Sequence, residues 1–379
     1  MLSKIYLKNY KAFNGVNEIE LKPITLLLGK NSSGKSSITK LLAMLASALN
    51  GKKGVLLPLV VDGGIRIAVK YEDLFHNHFT SDMELGVRYD DGTDIRCSYL
   101  MDNGKLYAQS YGVKGAKTDR YEKGFTKEDT TNFSGFLHTE ILKENEIDIS
   151  NLGFSVNYLG PIREQLLPSF AYSGSNVDTS IGSKGEKAQD ILLGSFIEEN
   201  GLFEKVSDWF DSHLEGQKLE MISNGPNSGT YSLYVRRNNV LVNAVDVGQG
   251  LTQVLPVIVE SFLPNSVDIE IMEQPAIHLH PAAHAQVAYR LVESAKTLNK
   301  KYVIESHSKN FLLELRKIVA LKELDVTPND IAVYYIDSDE NGSFIEKITI
   351  DENGDLNQWP DGLFEEGYQL LKDILEGRK

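Results

Sequence analysis

The segment 29–36 constrains the fold of this chain more than any other feature of its sequence. It reads Gly-Lys-Asn-Ser-Ser-Gly-Lys-Ser and fits the pattern G-x-x-x-x-G-K-[ST]. The apolar run 24–28 before it is typical of a strand buried on both faces, and the apolar spacing over 36–49 predicts a helix after it. A glycine-rich turn between a buried strand and a helix is the context of a phosphate-binding P-loop.

The residue types of this segment suit a phosphate group. Gly29 and Gly34 let the backbone curl so that its N–H groups point inward, and the helix N-terminus adds partial positive charge. Lys35 is placed to reach the β- and γ-phosphates, and Ser36 to offer its hydroxyl to Mg²⁺. The alternative is an ordinary glycine- and serine-rich turn without a ligand. We predict a nucleotide site made by Gly29, Asn31, Ser32, Ser33, Gly34, Lys35, Ser36 and Ser37.

The last third of the chain alternates between strand and helix patterns. Apolar runs predict strands at 267–272, 302–304, 331–336 and 344–350. Helical spacing of apolar residues predicts helices at 251–262, 281–298, 310–321 and 363–375. This alternation is typical of βαβ units, so we expect an α/β fold with a parallel core sheet.

Residues 65–113 have a different pattern. Short stretches of alternating polar and apolar residues are separated by Asp-Asp-Gly at 90–92 and Asp-Asn-Gly at 102–104, which are hairpin-turn signals. We therefore predict an antiparallel meander, with strands at 84–89, 95–101 and 105–111. A further antiparallel pair is predicted within 219–242, and a hairpin of strands at 5–10 and 18–21.

Composition excludes several classes of protein. The chain has 379 residues with a net charge of −14, which argues against a protein that is basic over its whole surface, although a local basic groove remains open. Its single cysteine, Cys97, cannot form an internal disulfide. No apolar run approaches the ~20 residues of a membrane span, and the N-terminus does not have the pattern of a signal peptide. We expect a cytoplasmic protein without a membrane partner.

Several short blocks, in this chain order, resemble the ATPases related to the RecF, SMC and overcoming-lysogenization-defect families. The blocks are 8–13, 24–37, 158–163, 246–256, 273–281 and 305–308. The resemblance implies an AAA-family P-loop NTPase with an ABC-type ATPase head and a mixed or parallel core sheet. The predicted antiparallel meander corresponds to the family by position only, and we expect it to form a β lobe. The resemblance divides the chain into head (1–54), lobe (55–154) and head (155–379), without a coiled-coil arm or a nuclease domain. The implied cofactors are ATP and Mg²⁺.

The resemblance also implies roles for two later blocks. In such ATPases a glycine-rich turn that opens a helix caps the γ-phosphate bound by a second subunit. In this chain the resemblance assigns that role to Gly248, Gln249, Gly250, Thr252 and Gln253, although the usual Ser-Gly-Gly-Gln motif is absent. A plain turn before a helix is the alternative. His307 matches the histidine that contacts the γ-phosphate and the attacking water, against the alternative of a hydrogen-bonded structural residue.

The acidic strand end departs from the family pattern. The usual family motif has Asp-Glu before a proline. Alignment on Pro275 puts Glu273 at the Mg²⁺-supporting position and Gln274 at the catalytic position. Glutamine cannot accept a proton as a carboxylate does, although its amide can orient water. We predict slow hydrolysis by a catalytic set of Lys35, Glu273, Gln274 and His307, with Mg²⁺ held by Ser36 and Glu273.

The predicted function is an ATP-dependent switch that dimerises on ATP and acts in DNA maintenance or in defence against phages and mobile elements, through a separate effector protein. The alternative is a nucleotide-dependent scaffold with negligible turnover; a transporter subunit is disfavoured by the absent signature wording. The histidines at 278, 280 and 284 raise a zinc site as a minor alternative. DNA contact is possible but not indicated by charge, since the basic clusters at 114–123, 236–237 and 300–301 have acidic neighbours.

Overall fold

The computed structural model of the protein describes residues 1–51, 55–78, 82–115, 121–125, 132–172, 180–359 and 373. In the N-terminal half the strands are β1 (Leu2–Lys8), β2 (Val16–Glu20), β3 (Ile24–Gly29), β4 (Val60–Val61), β5 (Ile65–Arg66), β6 (Met83–Tyr89), β7 (Asp94–Asp102), β8 (Lys105–Lys114), β9 (Tyr121–Gly124), β10 (Phe133–Ser134), β11 (Leu137–His138), β12 (Val156–Leu159) and β13 (Phe170–Ala171). The later strands are β14 (Lys218–Ser223), β15 (Thr230–Arg237), β16 (Val240–Asn243), β17 (Ile269–Glu273), β18 (Tyr302–Glu305), β19 (Ile331–Asp339) and β20 (Gly342–Ile348).

The helices alternate with the later strands as predicted. They are α1 (Lys35–Leu49), α2 (Thr139–Glu144), α3 (Ala188–Glu198), α4 (Leu202–His213), α5 (Gln249–Phe262), α6 (Pro281–Thr297) and α7 (Lys309–Ala320). The helix predicted at 363–375 lies outside the described residues. Among the described helices, none combines the length and the apolar character that crossing a membrane requires.

The core sheet places the P-loop strand at its centre. Its order is β12-β17-β18-β3-β19-β20, with all neighbours parallel except β19 and β20. Every residue of β3 is buried, and its side chains alternate between two hydrophobic cores. Leu26 and Leu28 pack with α5, α6 and α7, whereas Leu27 packs on the side of α1. The run before the P-loop, which is apolar apart from the buried Thr25, is thus explained by burial on both faces.

A second six-stranded sheet covers α1 from the other side. Its order is β2-β1-β6-β7-β8-β9, and all pairs are antiparallel. The predicted meander and N-terminal hairpin are confirmed. The two join into one sheet because β1 pairs with β6, for example Ile5 with Val87. The N-terminal strands and the lobe therefore share a core with α1, while the division of the chain at 54 and 154 remains a prediction.

A smaller antiparallel sheet lies beside α3 and α4. It contains β13, β15 and β14 in that order, with β16 paired to β15. The antiparallel pair predicted within 219–242 is confirmed, and β16 adds a further strand. Leu219 and Val235 of this sheet belong to the same core as Trp209 and Phe210 of α4.

A buried charged triad ties α5 to the core sheet. The Lys300 ammonium lies 2.9 Å from Glu260 Oε1 and 3.6 Å from Glu270 Oε1, and the three side chains are at most 2% exposed. Two carboxyl groups thus share one cation in a dry environment. Burial, reinforced by the charge of Glu260, raises the pKa of Glu270 to about 8.

Glu270→Gln is expected to reduce the pH dependence of stability. Between the ordinary value of 4.5 and about 8, folded Glu270 keeps a proton that the unfolded chain has released. The free energy of unfolding therefore falls as pH rises through this window, by up to about 1.4 kcal/mol per pH unit, and the loss is complete above the folded pKa. Denaturant unfolding at pH 5.5, 6.5 and 7.5 should show a smaller fall for the variant than for the wild type. Equal slopes would contradict the assignment.

Candidate functional site

The P-loop joins β3 to α1 at the carboxyl edge of the core sheet. Gly29 has φ 144° and Gly34 φ 106°. A Cβ on Gly29 would lie 1.9 Å from the carbonyl oxygen of Ile336, and one on Gly34 would lie 2.9 Å from the ring of Phe13. Both the positive φ angles and these close approaches exclude a side chain, so glycine at each position is what lets the loop curl.

Lys35 is the buried cation of the loop. Its ammonium donates to the carbonyl oxygen of Gly29 at 2.9 Å and to that of Lys30, and the residue is 3% exposed. Burial lowers the pKa of Lys35, while the carboxylates of Glu305 and Asp337 oppose that shift. The side chain thus lies over the loop backbone, and two loop carbonyl groups hold its ammonium.

The ends of β3, β17 and β18 form one cavity. Its volume is about 810 Å³, a size typical of small-molecule sites. Its lining combines most of the predicted nucleotide residues with two of the three predicted strand-end residues: Asn31, Ser32, Gly34, Lys35, Ser36, Ser37, Gln274 and His307. Gly29 holds the turn through its backbone, and Ser33 is buried beneath the loop, 3.5 Å from the Lys35 ammonium. The structure therefore brings the P-loop together with the blocks 273–281 and 305–308.

A hydroxyl and a carboxylate meet at the start of α1. Ser36 Oγ donates to Glu305 Oε2 at 2.7 Å, and Glu305 also lines the cavity. Burial, followed by the charge of Glu273, raises the pKa of Glu305. Hydroxyl and carboxylate oxygens are the ligands that Mg²⁺ prefers, so these residues fit the cation that accompanies a bound nucleotide.

Glu273 has other partners. Its Oε1 accepts hydrogen bonds from Thr39 Oγ1, at 2.5 Å, and from the hydroxyl of Tyr158. Its backbone carbonyl accepts from Arg163 Nη2 at 2.8 Å. The residue is 2% exposed, and it is not among the residues that line the cavity. Thr39 lies one helical turn after Ser36 on α1. Glu273, the predicted Mg²⁺-supporting acid, therefore contacts α1 one turn away from the Ser36 hydroxyl.

Gln274 and His307 face the cavity from neighbouring strand ends. Gln274 has φ 51°, and its N–H donates to the carbonyl oxygen of Glu305 at 2.8 Å, which fixes the turn after β17 against β18. Burial and the positive charge of Lys35 lower the pKa of His307. The lowered pKa favours a neutral imidazole near neutral pH, a form that can both accept and donate a hydrogen bond.

The glycine-rich turn lies apart from this cavity. Gly248 is the N-cap of α5, and a separate cavity of about 400 Å³ contains Gly248 and Gly250 together with His278 and His280. Gly248 and Gln249 are exposed, whereas Thr252 and Gln253 are buried within the chain. The part of the predicted signature that can meet a second subunit is therefore its exposed beginning.

The clustered histidines make other contacts. His280 caps α6 by accepting from the N–H of Ala282 at 3.3 Å. His284 Nδ1 lies 2.7 Å from Ser308 Oγ, and its Nε2 lies 3.2 Å from the carbonyl oxygen of Leu279. Both ring nitrogens of His284 are thus engaged by protein groups. Among the described residues no group of three or more His, Cys, Asp or Glu side chains is arranged to hold a metal ion.

A solved structure shares this fold, and two others superpose with lower TM-scores. A Smc head bound to the C-winged helix domain of ScpA superposes with a TM-score of 0.52 and 14% identity, covering 93% of this chain and 98% of that chain. The Smc head of Pyrococcus furiosus with an extended coiled coil gives 0.46 and 14%, covering 100% and 99%. The SMC head from Thermotoga maritima gives 0.42 and 10%, covering 91% and 98%.

The fold and the P-loop cavity define a P-loop ATPase with the architecture of an SMC-type head. The predicted fold class, an ABC-type ATPase head with an antiparallel lobe, is confirmed. The chain belongs to the AAA ATPase domain family, which residues 1–192 match. Residues 326–374 match a second family, described as a protein of unknown function (DUF3696). No curated protein sequence matches the chain.

Sequence reasoning missed Glu305 as a site residue. The block 305–308 indicates His307, and the apolar pattern predicts a strand that ends at residue 304, so the sequence assigns no role to Glu305. The available signal was its position: in parallel sheets, the residues at the carboxyl ends of adjacent strands meet at one edge.

Proposed function

We propose that the protein is a cytoplasmic nucleotide switch that binds ATP with Mg²⁺, hydrolyses it slowly and dimerises while ATP is bound. The observation that carries the proposal is the composition of the cavity, in which most of the P-loop faces a glutamine, Gln274. The resemblance to RecF- and SMC-type ATPases implies a catalytic glutamate at this position. Binding machinery is thus retained while the proton acceptor is replaced by an amide.

Each side chain has a defined task in this proposal. Lys35 and the loop N–H groups bind the phosphates, and Ser36 with a nearby carboxylate holds Mg²⁺. When bound, Mg²⁺ neutralises charge that develops on the phosphate oxygens. Gln274 orients water through its amide, and neutral His307 accepts or donates a hydrogen bond beside it. Without a carboxylate base at residue 274, the water keeps its proton longer and turnover is slow.

Gln274→Glu is expected to raise ATP turnover by about tenfold or more, since a positioned general base contributes about 10²–10⁴-fold. The substitution keeps the size of the side chain and restores a proton acceptor. Wild-type turnover should lie below the enzyme median of about 10 s⁻¹. Phosphate release from both proteins is the measurement, with the double variant Lys35→Ala/Gln274→Glu as a control for contaminating ATPases. No rise in rate, or a wild type already at the median, contradicts the proposed role of Gln274.

Dimerisation is supported by the separation of the two candidate surfaces. Within one chain, the exposed beginning of α5 and the P-loop line different cavities, which share only His278 and Leu279. An exposed helix N-terminus carries partial positive charge and suits a phosphate. We propose that it completes the site of a second copy, so that each ATP links two chains and nucleotide state becomes dimer geometry.

The proposed setting is DNA maintenance or defence against phages and mobile elements, with a separate effector protein. Charge favours a protein partner. Arg236 and Arg237 are paired with Glu220 and Glu215, and Lys300 is buried in its triad. The Smc head with TM-score 0.52 is bound to a domain of another protein, ScpA. Identification of the proteins and nucleic acids that co-purify with the chain tests this part, and recovery of nucleic acid without a protein contradicts the proposed effector protein.

The alternative function is a scaffold regulated by nucleotide occupancy alone. The same glutamine supports it, because an amide at residue 274 is compatible with no useful turnover. Phosphate release from the wild type, compared with Lys35→Ala, separates the two. A wild-type rate equal to that of the variant, together with retained ATP binding, favours the scaffold.

A further inference from the structure

The ends of the central strands place a second carboxylate nearer to the P-loop than the acid of β17. The sheet register pairs Glu273 of β17 with Glu305 of β18, and Glu305 with Leu27 of β3. Because β18 lies between the other two strands, Glu305 is one inter-strand spacing, about 4.8 Å, closer to the P-loop strand. Its carboxylate uses this position to accept the hydrogen bond from Ser36 at 2.7 Å.

Glu273 is engaged in a structural network instead. Its Oε1 accepts from Thr39 and from Tyr158, and Tyr158 is itself 8% exposed. These contacts join β17, β12 and the second turn of α1 beneath the P-loop. A carboxylate held by two hydroxyl groups in a buried environment has most of its charge already stabilised. We interpret Glu273 as a structural residue that holds α1 against the core sheet.

We propose that Glu305, rather than Glu273, is the carboxylate that supports Mg²⁺ together with Ser36 when ATP is bound. This inference rests on the proposed function, because it concerns the cation of the same nucleotide site. Mg²⁺ is held in proteins by one or two carboxylates together with phosphates, and in P-loop proteins the Ser or Thr after the lysine is a ligand. Of the two acids, Glu305 is the one that contacts this hydroxyl and lines the cavity.

This assignment changes the interpretation of the Glu-Gln pair at 273–274, which stands where the related ATPases have Asp-Glu. The sequence alignment on Pro275 matches Glu273 and Gln274 to an acid pair of which the first supports the metal. With Glu305 in that role, the metal-supporting acid belongs to β18, two residues before His307. The carbonyl oxygen of Glu305 also accepts the N–H of Gln274 at 2.8 Å. One residue thus connects the Ser36 hydroxyl to the turn that carries the water-orienting amide.

The test measures the affinity for the fluorescent nucleotide mant-ATP in Mg²⁺ and in EDTA. The wild type should bind more tightly with Mg²⁺. Glu305→Gln should reduce this Mg²⁺-dependent gain by about 10–100-fold, as loss of a supporting carboxylate does at metal sites, and leave binding in EDTA unchanged or tighter. Glu273→Gln is the matched control and should keep the gain within about threefold of the wild type.

The outcomes separate this inference from the function on which it rests. If the wild type binds no ATP in either buffer, the proposed function fails. Three results with a wild type that binds ATP overturn the assignment of Glu305. These are loss of the Mg²⁺-dependent gain in affinity in Glu273→Gln alone, equal loss in both variants, and retention of the gain in both. Thermal unfolding checks that each variant is folded. Glu305→Asp keeps a carboxylate on a shorter side chain and should retain part of the Mg²⁺-dependent gain in affinity. If Glu305→Gln does not fold, Glu305→Asp replaces it in this test.

Discussion

Lys35→Ala is expected to bind ATP about 100-fold more weakly than the wild type and to release no phosphate above background. Lys35 is 3% exposed and supplies the buried cation of the P-loop. Charge-assisted hydrogen bonds are worth about 1.5–3 kcal/mol each, and Lys35 is placed to make two of them, to the β- and γ-phosphates. Two such bonds at the lower value sum to about 3 kcal/mol, which is about 100-fold in affinity.

The neighbouring lysine of the loop provides the matched control. Lys30 has a side chain that is 56% exposed and pairs with Asp337 at 3.0 Å. Exposed pairs of this kind contribute about 0–1 kcal/mol, so Lys30→Ala should change ATP affinity by less than about fivefold. Calorimetric titration with ATP and Mg²⁺ measures both variants. Equal losses in the two variants contradict the specific role of Lys35.

Gly248→Asp is expected to abolish dimerisation on ATP while leaving the single chain folded and able to bind nucleotide. Gly248 is exposed at the start of α5, and a Cβ there meets no atom within 4 Å. Aspartate is a favoured N-cap residue, so the helix should be as stable as before or slightly more so. In a dimer the new carboxylate would face a phosphate at both sites, and like charges placed together cost several kcal/mol, about 100-fold or more in affinity.

Gly248→Asn separates charge from size. Asparagine has nearly the same shape as aspartate and caps helices equally well, but it is neutral. Sedimentation velocity with ATP and Mg²⁺ should show a dimer for Gly248→Asn and monomers for Gly248→Asp, with matching ATP affinities. Dimers in both variants would contradict the placement of the phosphate against α5, and monomers in both would show that bulk rather than charge is decisive.

The parts of the fold that the sequence predicts are those governed by local patterns. The run that forms β3 is apolar except for the buried Thr25 because both of its faces are buried, and the glycines at 29 and 34 have φ angles that other residues avoid. The Asp-Gly and Asn-Gly turns of the meander likewise act on their immediate neighbours. These features depend on residues that are close in the sequence and not on contacts with distant segments of the chain.

The features that could not be predicted depend on contacts between distant segments. The pairing of β1 with β6 joins residues more than seventy positions apart, and no turn signal sets its register. The contact between Ser36 and Glu305 spans 269 positions. It depends on the order of strands in the core sheet, which places β18 between β17 and β3. Periodicity along the chain predicts that strands exist, but not which strand lies beside which.

We propose that ATP with Mg²⁺ joins two copies of this chain. Light scattering coupled to size exclusion, with and without ATP and Mg²⁺, measures the mass of the particle in solution. We expect the monomer mass of 42.3 kDa without nucleotide and twice that mass with it. Lys35→Ala should remain a monomer in both conditions. A wild type that stays monomeric with ATP bound, or that is dimeric regardless of ATP, would contradict the claim.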